Sequence, residues 1–131
     1  MRLDEYFSVN RGYGVLATSD KEAVVNAALY ASPHFLDEKT VAFIMADKHT
    51  HQNIRQNPSA VYVFKEEGEG YKGKRLYLTR VGESEDQTLI SNLRRVSHCW
   101  PVTKDCDSEK RFLVSFRIDK VLPLVGDKEE R

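Results

Sequence analysis

Residues 47–58 read Asp-Lys-His-Thr-His-Gln-Asn-Ile-Arg-Gln-Asn-Pro, and this polar stretch lies between two apolar segments, 41–46 and 60–64. Short apolar runs that are bounded by polar turns are typical of buried strands. The polar stretch between them predicts a helix of roughly two turns that connects the two strands. The rest of the chain is interpreted around this strand–helix–strand unit.

Both ends of the predicted helix carry local signals. Thr50 is expected at the N-cap, where its hydroxyl would accept a hydrogen bond from the backbone N–H three residues later. Asn57 suits a left-handed C-terminal position, and the proline after it cannot continue a helix. The free N–H groups and the positive end of the helix dipole would then lie beside Lys48, His49 and Thr50, an arrangement that binds phosphate. An ordinary capped connector helix has the same pattern, and both interpretations stay open.

Composition limits the classes of protein that fit. The chain has 131 residues, with 20 Lys and Arg against 20 Asp and Glu, so its formal net charge is zero. This length predicts a single domain, residues 1–131, and a neutral chain is not expected to bind nucleic acid or an anionic membrane as its main partner. No apolar run approaches the ~20 residues of a membrane-spanning helix, and the N-terminus has no signal-peptide pattern. Two cysteines, Cys99 and Cys106, are too few for a disulfide framework, which predicts a cytoplasmic protein.

Hydrophobic periodicity predicts the remaining elements. A short helix is expected from Leu3 to about residue 10. Strands are expected at 13–19, 23–31, 40–46, 60–65, 74–81, 112–118 and 121–125. Residues 66–73 are interpreted as a solvated hairpin turn, and residues 97–109 as an irregular loop. A further helix is expected after a capping box at 84–87, with an apolar stripe made of Leu89, Ile90, Leu93 and Val96.

Six or seven strands joined mostly by short polar turns favour a mainly β (α+β) antiparallel barrel over a doubly wound parallel sheet. Two to three helices would pack on the outside of this barrel. The strand at 23–31 is rich in alanine, which would leave room above the sheet for a flat ligand or for a large neighbouring side chain.

Metal and nucleophile sites are weakly supported. His49 and His51 are two residues apart and would point in different directions on a helix, so a shared metal is not expected. The spacing of Cys99 and Cys106 differs from that of structural zinc sites. A Ser–His or Cys–His nucleophile pair stays open, although no nucleophile-elbow motif is present. The catalytic residues are therefore unknown at this point.

A family resemblance adds to this interpretation. The motifs that carry it are Gly-Val-Leu-Ala-Thr at 14–18, the apolar strand at 41–46, the basic and hydroxyl turn after it, Asn-Ile-x-x-Asn-Pro at 53–58, and Ala-Val-Tyr-Val-Phe at 60–64. In this order and spacing they resemble the pyridoxamine 5'-phosphate oxidase-like FMN-binding split barrels. The resemblance covers roughly residues 12–82, and the order of the predicted strands extends it over the rest.

The resemblance implies a homodimer with FMN in a cleft at the interface between two barrels. It assigns the phosphate to the turn formed by Lys48, His49 and Thr50, with Asn53 in support. Backbone groups of Ile44, Met45 and Ala46 would line the flavin ring on one strand, and Ala28, Leu29 and Tyr30 would line it on another. Lys74 falls where the family has a polar residue that faces the flavin, from the same subunit or from the partner.

The sequence also departs from the family pattern. The usual Ser-Arg-Lys-like phosphate turn is Lys48-His49-Thr50 here, residues 27–31 contain no basic residue, and the C-terminal Arg-x-His element is absent. Pyridoxamine phosphate oxidation is therefore not the expected activity. The expected function is that of an FMN-binding oxidoreductase that acts on a small-molecule substrate or electron donor not yet identified. A flavin- or haem-binding carrier or sensor without turnover, and a structural dimer with an empty pocket, are the alternatives.

Overall fold

The computed structural model describes residues 2–94 and 110–130. Its helices are α1 (Leu3–Val9), α2 (His49–Gln56) and α3 (Gln87–Arg94). Its strands are β1 (Gly12–Ser19), β2 (Val25–Leu29), β3 (His34–Phe35), β4 (Thr40–Ala46), β5 (Ser59–Glu66), β6 (Gly73–Ser84) and β7 (Arg111–Pro123). Among the described helices, none is long and apolar enough to cross a membrane.

All seven strands form one antiparallel sheet in the order β2-β1-β5-β6-β7-β4-β3. The sheet curls on itself, because Phe43 of β4 and Tyr62 of β5 have ring centroids only 5.0 Å apart although two strands separate β4 from β5. The ends of the sheet do not pair with each other among the described strands, so the barrel is split between β2 and the β3–β4 end. The predicted antiparallel split barrel with flanking helices is confirmed.

The core follows from alternation along the strands. Inward positions of β1, β5 and β6 are buried while their neighbours are not, as in Ala60, Tyr62 and Phe64 of β5. In β7, Phe112, Leu113 and Val114 are all buried, because Leu113 packs in the second cluster with Ile90 of α3. Each fully buried aliphatic or aromatic side chain contributes on the order of 1.5–3 kcal/mol. Gly14 is required by this packing, since a Cβ atom there would lie 1.8 Å from the hydroxyl oxygen of Tyr62.

Several predicted strand boundaries were wrong. The strand expected at 23–31 is the shorter β2, and the connector at 32–39 contains the two-residue strand β3, which pairs with Val41 and Ala42. The two strands expected at 112–118 and 121–125 are one continuous strand, β7, because a bulge between Tyr77 and Leu78 of β6 lets the pairing continue through residue 120. The predicted loop at 97–109, with both cysteines, lies outside the described residues.

The predicted helix caps were also wrong, because tertiary partners take the side chains concerned. Lys48 occupies the N-cap of α2, and the Thr50 hydroxyl bonds elsewhere. Asn57 is extended, with φ −138°, and donates to Ser19 of β1 over 2.9 Å.

At α3, Asp86 accepts hydrogen bonds from the backbone N–H groups of Thr88 and Leu89, so the expected box with Ser84 at the N-cap does not form. The stripe of α3 packs Ile90 and Leu93 against the barrel, whereas Leu89 is exposed. Val96, the last residue of the predicted stripe, lies outside the described residues.

Candidate functional site

The split in the barrel has two open strand edges and a helix across its end. β2 pairs only with β1 among the described strands, and β4 pairs with β3 only at Val41 and Ala42. Along residues 43–46, the edge of β4 that is not paired with β7 has no partner strand among the described residues. This unpaired edge faces the split, on the side where β2 ends. Helix α2 packs against β1, β2 and β4, which places its first turn at the end of the split.

The first turn of α2 has the features of an anion site. Lys48 at the N-cap has extended backbone geometry, and its side chain makes no capping hydrogen bond. The first turn contains no acidic residue, and Lys48 and His49 are both exposed. Uncapped N–H groups at a helix N-terminus attract anions, and a neighbouring cation adds to that attraction.

Thr50 connects this turn to β2. Its side chain is almost fully buried, and its hydroxyl accepts a hydrogen bond from the Nδ2 atom of Asn26 over 3.3 Å. The phenol of Tyr30 lies near the same hydroxyl. Burial raises the pKa of the Tyr30 phenol, and the Thr50 hydrogen bond and the charge of Arg111 offset this only in part. The Tyr30 phenol is therefore neutral at physiological pH, and the predicted phosphate and ring residues Thr50 and Tyr30 are in contact.

The two asparagines of the Asn-Ile-x-x-Asn-Pro element fix α2 on β1. The Nδ2 atom of Asn53 donates to the hydroxyl of Thr18 over 3.1 Å, and that of Asn57 donates to Ser19 over 2.9 Å. Spaced four residues apart, both amides lie on the same face of the helix. Asn53 thus supports the turn through the strand beneath it, and the Asn57 amide serves the same purpose.

The predicted ring-lining residues lie on the two strand edges but differ in where their side chains point. Ala28 is half-buried, while Leu29 is 52% exposed on the opposite face of β2. Met45 is part of the main core, and Ile44 packs with the cluster under α3. Together with Ala46, these residues belong to the part of β4 that pairs with β7 on one side, and the carbonyl of Ala46 accepts a hydrogen bond from the backbone N–H of Lys48 over 2.9 Å.

Lys74 was also predicted as a site residue, but it lies apart from α2. Its ammonium forms an ion pair with Glu130 and lies 4.6 Å from the ring centroid of Tyr6. These three residues line a separate cavity of about 500 Å³ beside α1.

Sequence reasoning missed the role of His51, which it considered only as a metal ligand. His51 is fully buried under α2, where its Nδ1 atom lies 2.9 Å from a carboxylate oxygen of Asp47 and its Nε2 atom 2.7 Å from one of Glu83. Its ring stacks on Phe112 at a centroid distance of 4.2 Å. The spacing of Asp47 and His51, four residues apart around the start of the helix, was the only local signal for this contact.

Solved structures with the same fold support the comparison with flavoproteins. An FMN-binding protein from Syntrophomonas wolfei subsp. wolfei has a TM-score of 0.74 at 18% identity, over 97% of this chain and 86% of that chain. Group A Streptococcus HupZ has a TM-score of 0.76 at 17% identity, over 100% of both chains. A "putative pyridoxamine 5'-phosphate oxidase" from Lactobacillus delbrueckii has a TM-score of 0.64 at 18% identity, over 90% of this chain and 88% of that chain.

No family model and no curated protein sequence matches the chain. At these identities the structural likeness defines the fold. The chain has the split-barrel fold of FMN-binding and pyridoxamine 5'-phosphate oxidase-like proteins.

Proposed function

We propose that this protein binds FMN in the split between β2 and β4 and acts as a flavin-dependent oxidoreductase. The observation that carries the proposal is the N-terminus of α2, which begins at Lys48 without an acidic residue in its first turn, at the end of two strand edges that are open among the described strands. A phosphate group suits the helix terminus, and a flat ring suits a cleft between strand edges. The FMN-binding protein from S. wolfei, which has the same fold, supports the choice of cofactor.

The residues present fit this cofactor. The backbone N–H groups of His49 and Thr50 and the Lys48 ammonium would hold the phosphate. Backbone groups of Met45 and Ala46 on β4, and the small Ala28 on β2, would flank the ring. When bound, the isoalloxazine would supply the redox chemistry, and the protein would supply position and electrostatics.

The substrate or electron donor of such a site would be small and neutral or weakly charged. On the face of β2 toward the split, the small side chain of Ala28 leaves space and adds no cation to it. Beside this space, the neutral Tyr30 phenol and the Asn26 amide provide hydrogen bonds rather than charge.

Comparing FMN with riboflavin tests the proposal directly. The apoprotein, titrated by flavin fluorescence, is expected to bind FMN at least roughly tenfold more tightly than riboflavin, because riboflavin lacks the group that the α2 turn would hold. Steady-state reduction of the bound flavin by a nicotinamide donor then tests turnover. Equal affinity for the two flavins would contradict the assignment of the phosphate to α2.

A carrier or sensor that binds flavin or haem without turnover is the second candidate function. Burial raises the pKa of the Tyr30 phenol, which remains a hydrogen-bond donor. Such a donor can hold a bound ligand without any proton transfer, as a carrier or sensor requires. A bound flavin that no nicotinamide donor reduces, or a haem absorption band on titration with haemin, would favour this candidate.

A homodimer is part of the proposal, because the outer face of β2-β1-β5 is apolar. Val25 and Leu29 of β2 and Tyr13 of β1 are more than half exposed there. Leu29 lies opposite Val15, and Val15 lies opposite Val63, so one apolar row crosses three strands. Exposed apolar faces of this kind mark interaction sites. A second copy of the chain would cover this face and would also enclose β2, the strand that forms one edge of the split.

A further inference from the structure

The cavity of about 500 Å³ beside α1 lies apart from the split that would hold the flavin. Its volume is within the range of ~300–1,000 Å³ that small-molecule sites occupy. Residues of α1, β6 and β7 line it, together with Glu38 from the β3–β4 turn and Glu130 from the segment that follows β7. Leu3, Tyr6 and Val121 add apolar surface to this charged lining. Such a cavity suits a ligand that has an apolar body and a charged group.

Lys74 is the fixed cation of this cavity. It belongs to β6, where the ladder pairs it with Phe64 of β5 and Pro123 of β7. Its side chain is only 19% exposed, and its ammonium lies 4.6 Å from the ring centroid of Tyr6. The Tyr6 phenol in turn donates to Glu66 over 2.6 Å, which holds the ring in place. A cation that is largely removed from water needs an anionic partner.

Glu130 supplies that partner from a loosely attached segment. Residues 125–129, which precede it, are all exposed. The Glu130 N–H donates to the carbonyl of Val121 over 2.8 Å, in an isolated bridge outside the ladder. Earlier in the segment, Asp127 accepts a hydrogen bond from Arg75 over 3.2 Å. Among the described contacts, displacement of Glu130 therefore breaks one ion pair and one backbone hydrogen bond, and it leaves β6 and β7 paired.

The charges around the cavity favour a carboxylate over an amine as the ligand. Arg2 pairs with Asp4 across 3.2 Å, so these two charges compensate each other. Glu38 is exposed, and water solvates its carboxylate. A carboxylate that takes the place of Glu130 leaves the balance of charge beside Lys74 unchanged. An amine in that place would put a second ammonium beside Lys74, and like charges at close range repel.

We propose that this cavity is a second binding site, for a small organic carboxylate whose charged group replaces Glu130 on Lys74. The apolar body of the ligand lies against Leu3, Tyr6 and Val121. Glu130 acts as an internal competitor, which occupies Lys74 when the ligand is absent. The site does not depend on the proposed flavin site, because Lys74 lies apart from α2.

Benzoate and benzylamine test this proposal, because they share a ring and carry opposite charges. Titrations of the protein at low salt, followed by amide NMR shifts, give the dissociation constants and show which residues respond. Benzoate should shift the amide signal of Glu130, since displacement of this residue breaks its hydrogen bond to Val121. Benzylamine should bind roughly tenfold more weakly than benzoate, because it cannot pair with Lys74.

Variants of the ion pair locate the bound carboxylate. In Glu130→Gln the internal competitor loses its charge, so benzoate should bind about fivefold more tightly. Glu129→Gln is the matched control, because Glu129 precedes it in the same exposed segment, and this variant should bind benzoate as the wild type does. Lys74→Met removes the counter-ion and should weaken benzoate binding roughly tenfold or more. Lys72→Met, in the exposed turn between β5 and β6, should leave the affinity unchanged.

Three results would overturn the proposal. Benzylamine that binds as tightly as benzoate, with the same amide shifts, would make the cavity a site for cations. Equal benzoate affinity in Glu130→Gln and the wild type would show that Glu130 does not compete. Benzoate that moves no amide signal of the cavity residues, even in Glu130→Gln, would leave the cavity without a ligand of this class. Glu130 is part-exposed and follows an exposed segment, so its variant decides the matter even if Lys74→Met does not fold.

Discussion

The Nδ2 atom of Asn26 donates to the hydroxyl of Thr50 over 3.3 Å, which connects the edge strand β2 to the first turn of α2. Strand β2 is short and pairs on one side only among the described strands. Side-chain contacts therefore contribute more to its position than they would in a central strand. The hydrogen bond between Asn26 and Thr50 therefore holds the two sides of the candidate site together.

Replacing this hydroxyl should destabilise the fold. In Thr50→Val the Asn26 amide loses a partner that is almost fully buried, which should cost about 1–3 kcal/mol in the free energy of unfolding. Urea unfolding followed by circular dichroism measures the loss. Thr88→Val, at an exposed position in α3, is the matched control and should stay within about 0.5 kcal/mol of the wild type. If Asn26→Ala and Thr50→Val were additive in a double-mutant cycle, the two side chains would not be coupled.

Local sequence patterns predicted much of this fold. Alternation along β1, β5 and the first half of β7 is a property of each strand alone, and these strands lie close to where they were expected. Strand β3 and the continuity of β7 depend on pairing with residues far away in the chain, and no local signal carries that information. The family resemblance supplied the split of the barrel.

The candidate site was predictable to a lesser extent. The turn at Lys48–Thr50 lies at the end of the split, as the motif order suggested, because α2 directly follows β4. The expected helix caps do not form, because the Thr50 hydroxyl accepts a hydrogen bond from Asn26 and the Asn57 amide donates one to Ser19. The contact between His51 and Glu83 could not be inferred, because Glu83 lies 32 residues away and comes close only when β6 pairs in the folded sheet.

Acid should destabilise the protein partly through His34 of β3. Burial lowers the pKa of His34 below its ordinary value of 6.5, so the folded state holds the neutral ring while the unfolded chain takes up a proton. The stability from this residue is therefore complete above about pH 6.5 and is lost as the pH falls toward the lower folded-state pKa. Urea unfolding at pH 7.5 and at pH 5 should show a smaller acid loss in His34→Gln than in the wild type.

The exposed His49 provides the control for that comparison. His49→Gln should keep the acid loss of the wild type, since the same substitution there removes an imidazole that is exposed in the folded state. An identical acid loss in His34→Gln and the wild type would show that burial of His34 has no effect on stability.

Leu29 provides the test of the dimer. It is 52% exposed and lies in the apolar row that crosses β2, β1 and β5. Leu29→Lys places a charge in that row and should convert a dimer into monomers at micromolar concentration, as measured by sedimentation velocity. Leu36→Lys is the matched control, because Leu36 is equally exposed but follows β3, away from this face. A wild-type monomer that retains bound flavin would contradict the proposed interface.

Lys48 should contribute to affinity through the phosphate of FMN alone. Lys48 is the N-cap residue of α2, and the first turn of that helix contains no acidic residue. Lys48→Ala removes one charge-assisted contact, which corresponds to about 1.5–3 kcal/mol, or roughly a tenfold or greater rise in the dissociation constant of FMN. Riboflavin should bind the variant as it binds the wild type. Lys72→Ala is the control, because Lys72 lies in the exposed turn between β5 and β6 and its loss changes the net charge equally. This variant should leave the dissociation constants of both flavins unchanged. An equal loss of FMN affinity in the two lysine variants would indicate a general effect of charge rather than a phosphate contact.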